Sequence, residues 1–175
     1  MSLVFEQADL DKHHEVLTRF NTEYIDWIDA AVRDHFGLAL PDLLGMSIPD
    51  YVQDALENLC KGTPPDSVFY VVFDGETAMG MGGLRRVREG VAEVKRIYVS
   101  PVSRGGGLGA KILYRLLSDA SAFGYQEVLL ETGPFMTSAH RIYEAAGFKD
   151  TQPFAEAEVP EELRDNWRFM RYRLG

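Results

Sequence analysis

The sequence predicts a single α/β domain of the α+β kind: a mixed sheet in which an antiparallel meander is followed by a parallel β-α-β crossover, with helices on both faces. Three observations predict it. Two turn dipeptides, Asp74-Gly75 and Glu89-Gly90, divide residues 68–99 into three β-rich segments. A glycine-rich stretch, "SRGGGLGAK" at 103–111, leads into an apolar stripe at helical spacing. The run "QEVLLET" then completes a strand-helix-strand unit, so the strands at 91–99 and 126–131 should be parallel and connected right-handedly. At 175 residues the chain can bury such a core without metals or disulfides, and its elements interleave too closely for a boundary, so 1–175 reads as one domain.

Each element has its own signal. Residues 3–8 alternate well enough for a short strand. Tyr24, Trp27, Ile28, Ala31 and Val32 recur at helical spacing with acidic residues opposite them, which predicts an amphipathic helix ending at Gly37. The stretch 38–47 is rich in breakers. Pro49 then opens a second helix that closes near Lys61-Gly62. Strands follow at 68–73, 76–87 and 91–99. Gly80, Gly82 and Gly83 in the middle one suggest a bulge or a close backbone approach. Leu108, Ile112, Leu113, Leu116, Leu117 and Ala120 stripe the crossover helix up to Gly124. "TSAHRIYEAAGF" reads as a short helix capped by Thr137 or Ser138 and closed by Gly147, and "NWRFMRYRL" as a last strand running back along the sheet.

Charge and cysteine content narrow the function. With 27 acidic against 18 basic residues the net charge is −9, which weighs against a nucleic-acid binder and favours steering of cationic substrates. The single cysteine, Cys60, permits no internal disulfide and reads as an inert thiol in a reducing compartment, so a cytoplasmic protein is expected. No stretch is long and apolar enough for a membrane span. His13 and His14 are adjacent and cannot share a helical face as ligands, and no cluster has metal spacing, so no metal is predicted.

The glycine loop asks for an anion, most plausibly a phosphate, because bare amides followed by a helix N-terminus concentrate N–H donors. Three readings compete. A Walker A loop fails, since Lys111 is followed by Ile112 where a magnesium-binding hydroxyl is needed. Residues 105–110 satisfy a dinucleotide fingerprint, with Glu127 about 20 residues on. Yet the preceding strand carries Glu93, Lys95 and Arg96, unlike a strand buried on both faces, and it follows an antiparallel meander. The third reading takes Arg104 with Gly105, Gly106, Gly107, Leu108 and Gly109 as R-x-x-G-x-G opening a helix.

In that motif the sequence resembles the GNAT superfamily of acyl-CoA N-acyltransferases. "IYEAAGF" at 142–148, with Tyr143 four residues before Gly147-Phe148, is similar to that superfamily's later L-Y-x-x-x-G-F segment. "EVKRIYV" and "LLETGPFMTSAHRIYEAAGF" more narrowly resemble a largely uncharacterised bacterial group. The resemblance is strong over about 68–174 and covers residues 1–62 in element order only. One departure is Met136, where many relatives have asparagine.

The resemblance implies a GNAT-type sheet and an acetyl-CoA dependent N-acetyltransferase acting by direct attack in a ternary complex. The acceptor would be a primary amine of a small molecule, peptide or protein, in a pocket shaped by 20–50 and 150–166. It implies that amides across Arg104–Ala110 cradle the pyrophosphate, and that main-chain groups of the strand segment Ile97, Tyr98 and Val99 pair with pantetheine, the Ile97 amide polarising the thioester carbonyl. Tyr143 is the candidate acid for the departing thiolate; position alone fits a core tyrosine. Glu93 is the candidate base, against the alternative of an exposed strand glutamate paired with Lys95 or Arg86. Glu131 is second choice, and His140 reads as a solvated helix-surface histidine. Arg85, Arg86 and Arg88 would reach the CoA 3′-phosphate or, more simply, form a solvated face. Tyr24, Trp27 and Asp26 would line the acceptor pocket, although ordinary core packing fits Trp27 better. Homodimers are common in the superfamily. The competing function is a non-catalytic acyl-CoA binding or sensing module.

Overall fold

In the computed structural model, which describes residues 2–175, the chain forms one seven-stranded sheet between two helical layers. The elements are β1 (Leu3–Gln7), α1 (Leu10–Phe36), α2 (Leu40–Leu44), α3 (Ile48–Lys61), β2 (Val68–Asp74), β3 (Thr77–Arg88), β4 (Val91–Val99), α4 (Leu108–Ala122), β5 (Glu127–Thr132), α5 (Thr137–Ala146), β6 (Lys149–Asp150), α6 (Glu161–Arg164) and β7 (Arg168–Arg173). Strand order is β1-β2-β3-β4-β5-β7-β6; β4 and β5 are parallel and every other pair is antiparallel.

The expected meander and crossover are therefore present. The sequence reading missed β6, α2 and α6. These are two to five residues long, too short to display a period, and α2 lies inside the breaker-rich stretch. At α5 the expected cap is corrected: Met136, with no side-chain cap bond, precedes the helix instead of Thr137 or Ser138 capping it. The Met136 amide donates to the Gly133 carbonyl at 3.1 Å, and this turn aims the Met136 carbonyl at the His140 amide, 3.0 Å away, so the helix begins one residue early.

Alternation along the strands feeds two cores. Leu17, Phe20, Val32, Val52, Leu56, Val71 and Met81 belong to the layer formed by α1, α2 and α3. Val72, Leu84, Ala92, Ile112, Leu113, Leu116 and Val128 belong to the layer formed by α4 and α5. The glycines of β3 let α4 and Phe69 lie close on the sheet. A Cβ on Gly82 would stand 2.6 Å from Ile112, and one on Gly83 would stand 2.2 Å from Phe69.

One irregularity positions everything that follows. β3 and β4 pair Met81 with Tyr98 and Gly83 with Lys95, so two residues of β4, Arg96 and Ile97, oppose Gly82 alone. Arg96 takes φ 52, a left-handed conformation that accommodates the extra residue. Across this bulge the alternation is reset. Lys95 and Arg96 both turn towards the α1 side, while Ile97 and Val99 join the α4 core and Tyr98 joins the α1 core.

Candidate active site

β4 and β5 part company early. Their parallel pairing runs through Val91↔Glu127, Ala92↔Val128 and Glu93↔Leu129 and stops there. Beyond Glu93 the two strands diverge into a cleft whose walls include Ile97, Tyr98 and Val99 on one side and Tyr143 on the other, with Arg104 and Gly105 at one end. Ile97 has no register partner on either neighbouring strand. Of the expected main-chain contacts, the Val99 carbonyl accepts from Arg104 Nε at 3.1 Å.

The glycine loop sits at the head of this cleft. A 3₁₀ turn at Pro101–Ser103 hands the chain to Gly105 and Gly107, at φ 90 and 75, and α4 starts at Leu108. Six consecutive amides, Gly105 to Ala110, find no acceptor among the described residues; the first α4 amide to do so is that of Lys111, bonded to the Gly107 carbonyl at 3.1 Å. A Cβ on Gly105, Gly106 or Gly107 would meet nothing within 4 Å, so the loop faces open space. Such a row of unanswered donors fits a diphosphate, whose oxygens accept only. Gly109 serves packing instead: a Cβ there would stand 3.3 Å from Ile142.

Tyr143 projects from α5 into the cleft, and its hydroxyl has no hydrogen-bond partner among the described residues. Burial, reinforced by Tyr24, pushes its phenol well above the usual range, so it keeps its proton at neutral pH.

Glu93 and Glu131 both open on a second pocket, between the sheet and α1, α2 and α3. Glu93 is fully buried, which overturns the exposed alternative. Its Oε1 accepts from Arg85 Nε at 2.8 Å, with Lys95 Nζ at 3.9 Å, while Oε2 is buried without a partner. Burial raises its pKa against the pull of Lys95 and Arg85. Among the described residues Glu131 has no cationic partner within salt-bridge distance; its Oε2 accepts the Glu158 amide at 3.0 Å. Burial, followed by the Glu93 charge, pushes it up to about 7. Glu131 lines both the cleft and the second pocket, a position Glu93 does not share.

The remaining candidates fall as follows. The reading of Arg85, Arg86 and Arg88 as a 3′-phosphate site does not hold: all three face acidic residues, Arg85 pairing with Glu93 and Glu158, Arg86 with Asp66 and Arg88 with Glu156. Trp27 is 49% exposed and meets Phe135 edge-on at 5.7 Å, so core packing is corrected to a place at the cleft mouth. It is an outward residue of a helix whose buried side is carried by Ile25, Ile28 and Val32. Tyr24 lines both pockets, while Asp26 is exposed and lines neither. His140 is half-buried and within 3.1 Å of Thr132 Oγ1, which corrects the solvated reading. Met136 is drawn to the same threonine, whose hydroxyl donates to its sulfur at 3.3 Å.

Part of the 150–166 stretch expected to shape the acceptor pocket completes it. Residues 156–158 are strapped across it: the Glu156 carbonyl accepts from Arg85, its carboxylate from Arg88, and Glu158 pairs with Lys95. Its only signal in the sequence is the alternation of Glu156 and Glu158 opposite a basic strand.

Comparison with known proteins agrees with this architecture. A family model described as the acetyltransferase (GNAT) family matches residues 25–148. An "IAA acetyltransferase" of Azospirillum brasilense is 38% identical over 100 residues, 57% of this chain and 63% of that protein, so the chain spans less than two thirds of that relative's length. An uncharacterised N-acetyltransferase of Schizosaccharomyces pombe is 33% identical over 112 residues, 62% of this chain and 69% of that protein. In fold, the chain is similar to a PaiA N-acetyltransferase of Thermoplasma acidophilum solved in complex with coenzyme A, with a TM-score of 0.73 over 99% of this chain and 100% of that one at 17% identity.

Proposed function

Because the chain belongs to the acetyltransferase (GNAT) family, we propose that it transfers an acetyl group from acetyl-CoA to the primary amine of a small acceptor, the two substrates meeting in one ternary complex. The observation that carries this reading is the parting of β4 and β5 directly below a loop of six unanswered amides, which gives a long acyl carrier both an anchor and a slot. The amides of Gly105 to Ala110 hold the diphosphate, and the strand segment at Ile97 offers main-chain groups to the pantetheine amides. Acetyl-CoA supplies the activated carbonyl.

The acceptor amine enters from the side of α1 and α3. We assign its deprotonation to Glu131, directly or through water, because Glu131 reaches both pockets without a cationic partner, whereas Glu93 is held by Arg85. Glu93 acts as a positioning residue: burial first, and then the Glu93 charge in the same pocket, raise the Glu131 carboxyl to about 7, a useful basicity for a general base. As the N–C bond forms and the C–S bond breaks, the Ile97 amide polarises the carbonyl oxygen and Tyr143 gives its proton to the departing sulfur. The amine proton leaves through Glu131.

The test is thiol release from acetyl-CoA over a panel of amines, paired with thermal shift. CoA is expected to raise the melting temperature and NAD to leave it unchanged. A shift with NAD alone would return the dinucleotide reading. A CoA shift with no turnover of any amine would favour the non-catalytic acyl-CoA module.

A further inference from the structure

The acceptor pocket contains a cation that, among the described residues, no carboxylate meets within 4.0 Å. In the same wall, Arg85 and Lys95 each lie within 4.0 Å of two carboxylates, those of Glu93 and Glu158. Arg96 has neutral partners instead: Nη1 donates to Asn21 Oδ1 at 3.0 Å and Nη2 to the Tyr51 hydroxyl at 3.2 Å. The Tyr24 and Tyr51 rings flank its guanidinium, with centroids 6.0 and 5.7 Å away. Asn21 is fully buried, and its own amide is committed to the Leu17 carbonyl at 2.8 Å, which fixes Oδ1 towards Arg96.

A guanidinium has five N–H donors, and two are spent here. The other three have no acceptor among the described residues. The backbone carries a second sign, since Arg96 occupies the left-handed region that residues with side chains seldom adopt and that persists where surroundings impose it. In a chain of net charge −9, a half-buried arginine that is oriented and has no carboxylate within salt-bridge distance among the described residues is preorganised for an anionic group brought by a ligand.

Arg96 lines the pocket that also holds Glu131, and Ile25, Ile28, Leu40, Leu44 and Leu163 supply an aliphatic part of its wall. The pocket thus offers a cation for a carboxylate, a base for an amine and hydrocarbon for an aliphatic side chain. We propose that the acceptor is a free amino acid with an aliphatic side chain, its carboxylate on Arg96, its amine towards Glu131 and its side chain against the aliphatic wall. This deepens the acetyltransferase reading above and rests on it.

The experiment compares L-leucine with L-leucinamide as acceptors for the full chain with acetyl-CoA, by thiol release. The two share a side chain and an α-amine and differ in a carboxylate against a neutral amide, which also makes the amine less basic, so the part of the preference that Arg96→Asn removes is the reading. Leucine is expected to be favoured by about tenfold or more in kcat/KM, the range of one charge-assisted contact. Arg96→Asn removes the cation while tolerating the left-handed backbone. It should raise KM for leucine about tenfold, change kcat less and abolish the preference, while Arg96→Lys keeps part of it. Retention of the CoA-induced melting shift reports that the variants are folded.

Leucinamide used as well as leucine, turnover confined to amines without a carboxylate, or a preference that survives Arg96→Asn would overturn the proposal. Should no amine release thiol, calorimetric titration of the CoA-loaded protein with leucine separates the two readings. Binding that Arg96→Asn abolishes would uphold the carboxylate site and leave the transferase reading to fall alone; no binding would overturn the site.

Discussion

Glu93 and Glu131 stand on adjacent parallel strands and open on one pocket, yet only Glu93 is tied to a cation, Arg85, at 2.8 Å. Their unequal partners divide the labour proposed for them.

Glu131→Gln should lower kcat by about 100-fold and flatten the rise of kcat/KM with pH expected of the native protein through about 7. The stability effect has the opposite sense. Glu131 holds its proton more tightly in the folded state than an ordinary carboxylate does, so the native protein loses stability as pH climbs from the usual carboxylate range through about 7, and the cost is fully present above that. Glutamine can still accept the Glu158 amide. Its melting temperature is expected to exceed the wild type's by on the order of 3 °C at pH 8 and to match it at pH 4.5. Calorimetry at both pH values, alongside a pH-rate profile, checks this; a gain at pH 4.5 alone would contradict it.

Tyr143→Phe removes a hydroxyl that has no hydrogen-bond partner among the described residues, so the fold should lose nothing and the melting temperature should stay level or rise slightly. Turnover should fall by about 100-fold with little change in KM for acetyl-CoA. Equal loss in KM would point to a packing role for the ring.

Gly106→Ala adds a methyl group in open space at an ordinary φ, whereas Gly107→Ala places one at φ 75. The first should leave the ligand-free melting temperature unchanged and weaken CoA binding. The second should also destabilise the free protein by about 1 kcal/mol. Thermal unfolding with and without CoA distinguishes them, and identical curves for the two variants would count against the loop's assigned role.

Gly80→Ala tests the sheet. Its Cβ would stand 2.5 Å from the Tyr98 carbonyl oxygen, a backbone atom that can yield only if β4 moves. A loss of about 2 kcal/mol or more is expected, seen as a drop of about 4 to 8 °C.

Much of this was legible in the chain. The turns at Asp74-Gly75 and Glu89-Gly90, the stripe of α4 and the loop that precedes it each depend on neighbours in sequence, where propensity and spacing speak directly. The glycine loop could be singled out for the same reason, whereas Tyr143 stands out only through the family resemblance of its segment, since its position alone fits a core tyrosine. The proposed ordering of Glu131 above Glu93 could not, because it rests on which carboxylate Arg85 meets, a contact across strands. Trp27 lies on a helix whose period places it near the apolar side, and its exposure depends on where Phe135 arrives from a distant loop. Arg96 left one trace: Lys95 and Arg96 are consecutive charged residues in a strand that otherwise alternates, which is the mark of an extra residue.

That extra residue makes β4 intolerant of any change in length. Deleting or inserting a single amino acid between Lys95 and Tyr98 would send Tyr98 to the α4 side of the sheet and Val99 to the α1 side, exchanging the furniture of two rooms at once. Descendants of this chain that acquire new acceptors are therefore expected to do so by swapping side chains on a strand of constant span, and to absorb their indels in the connections on either side of it.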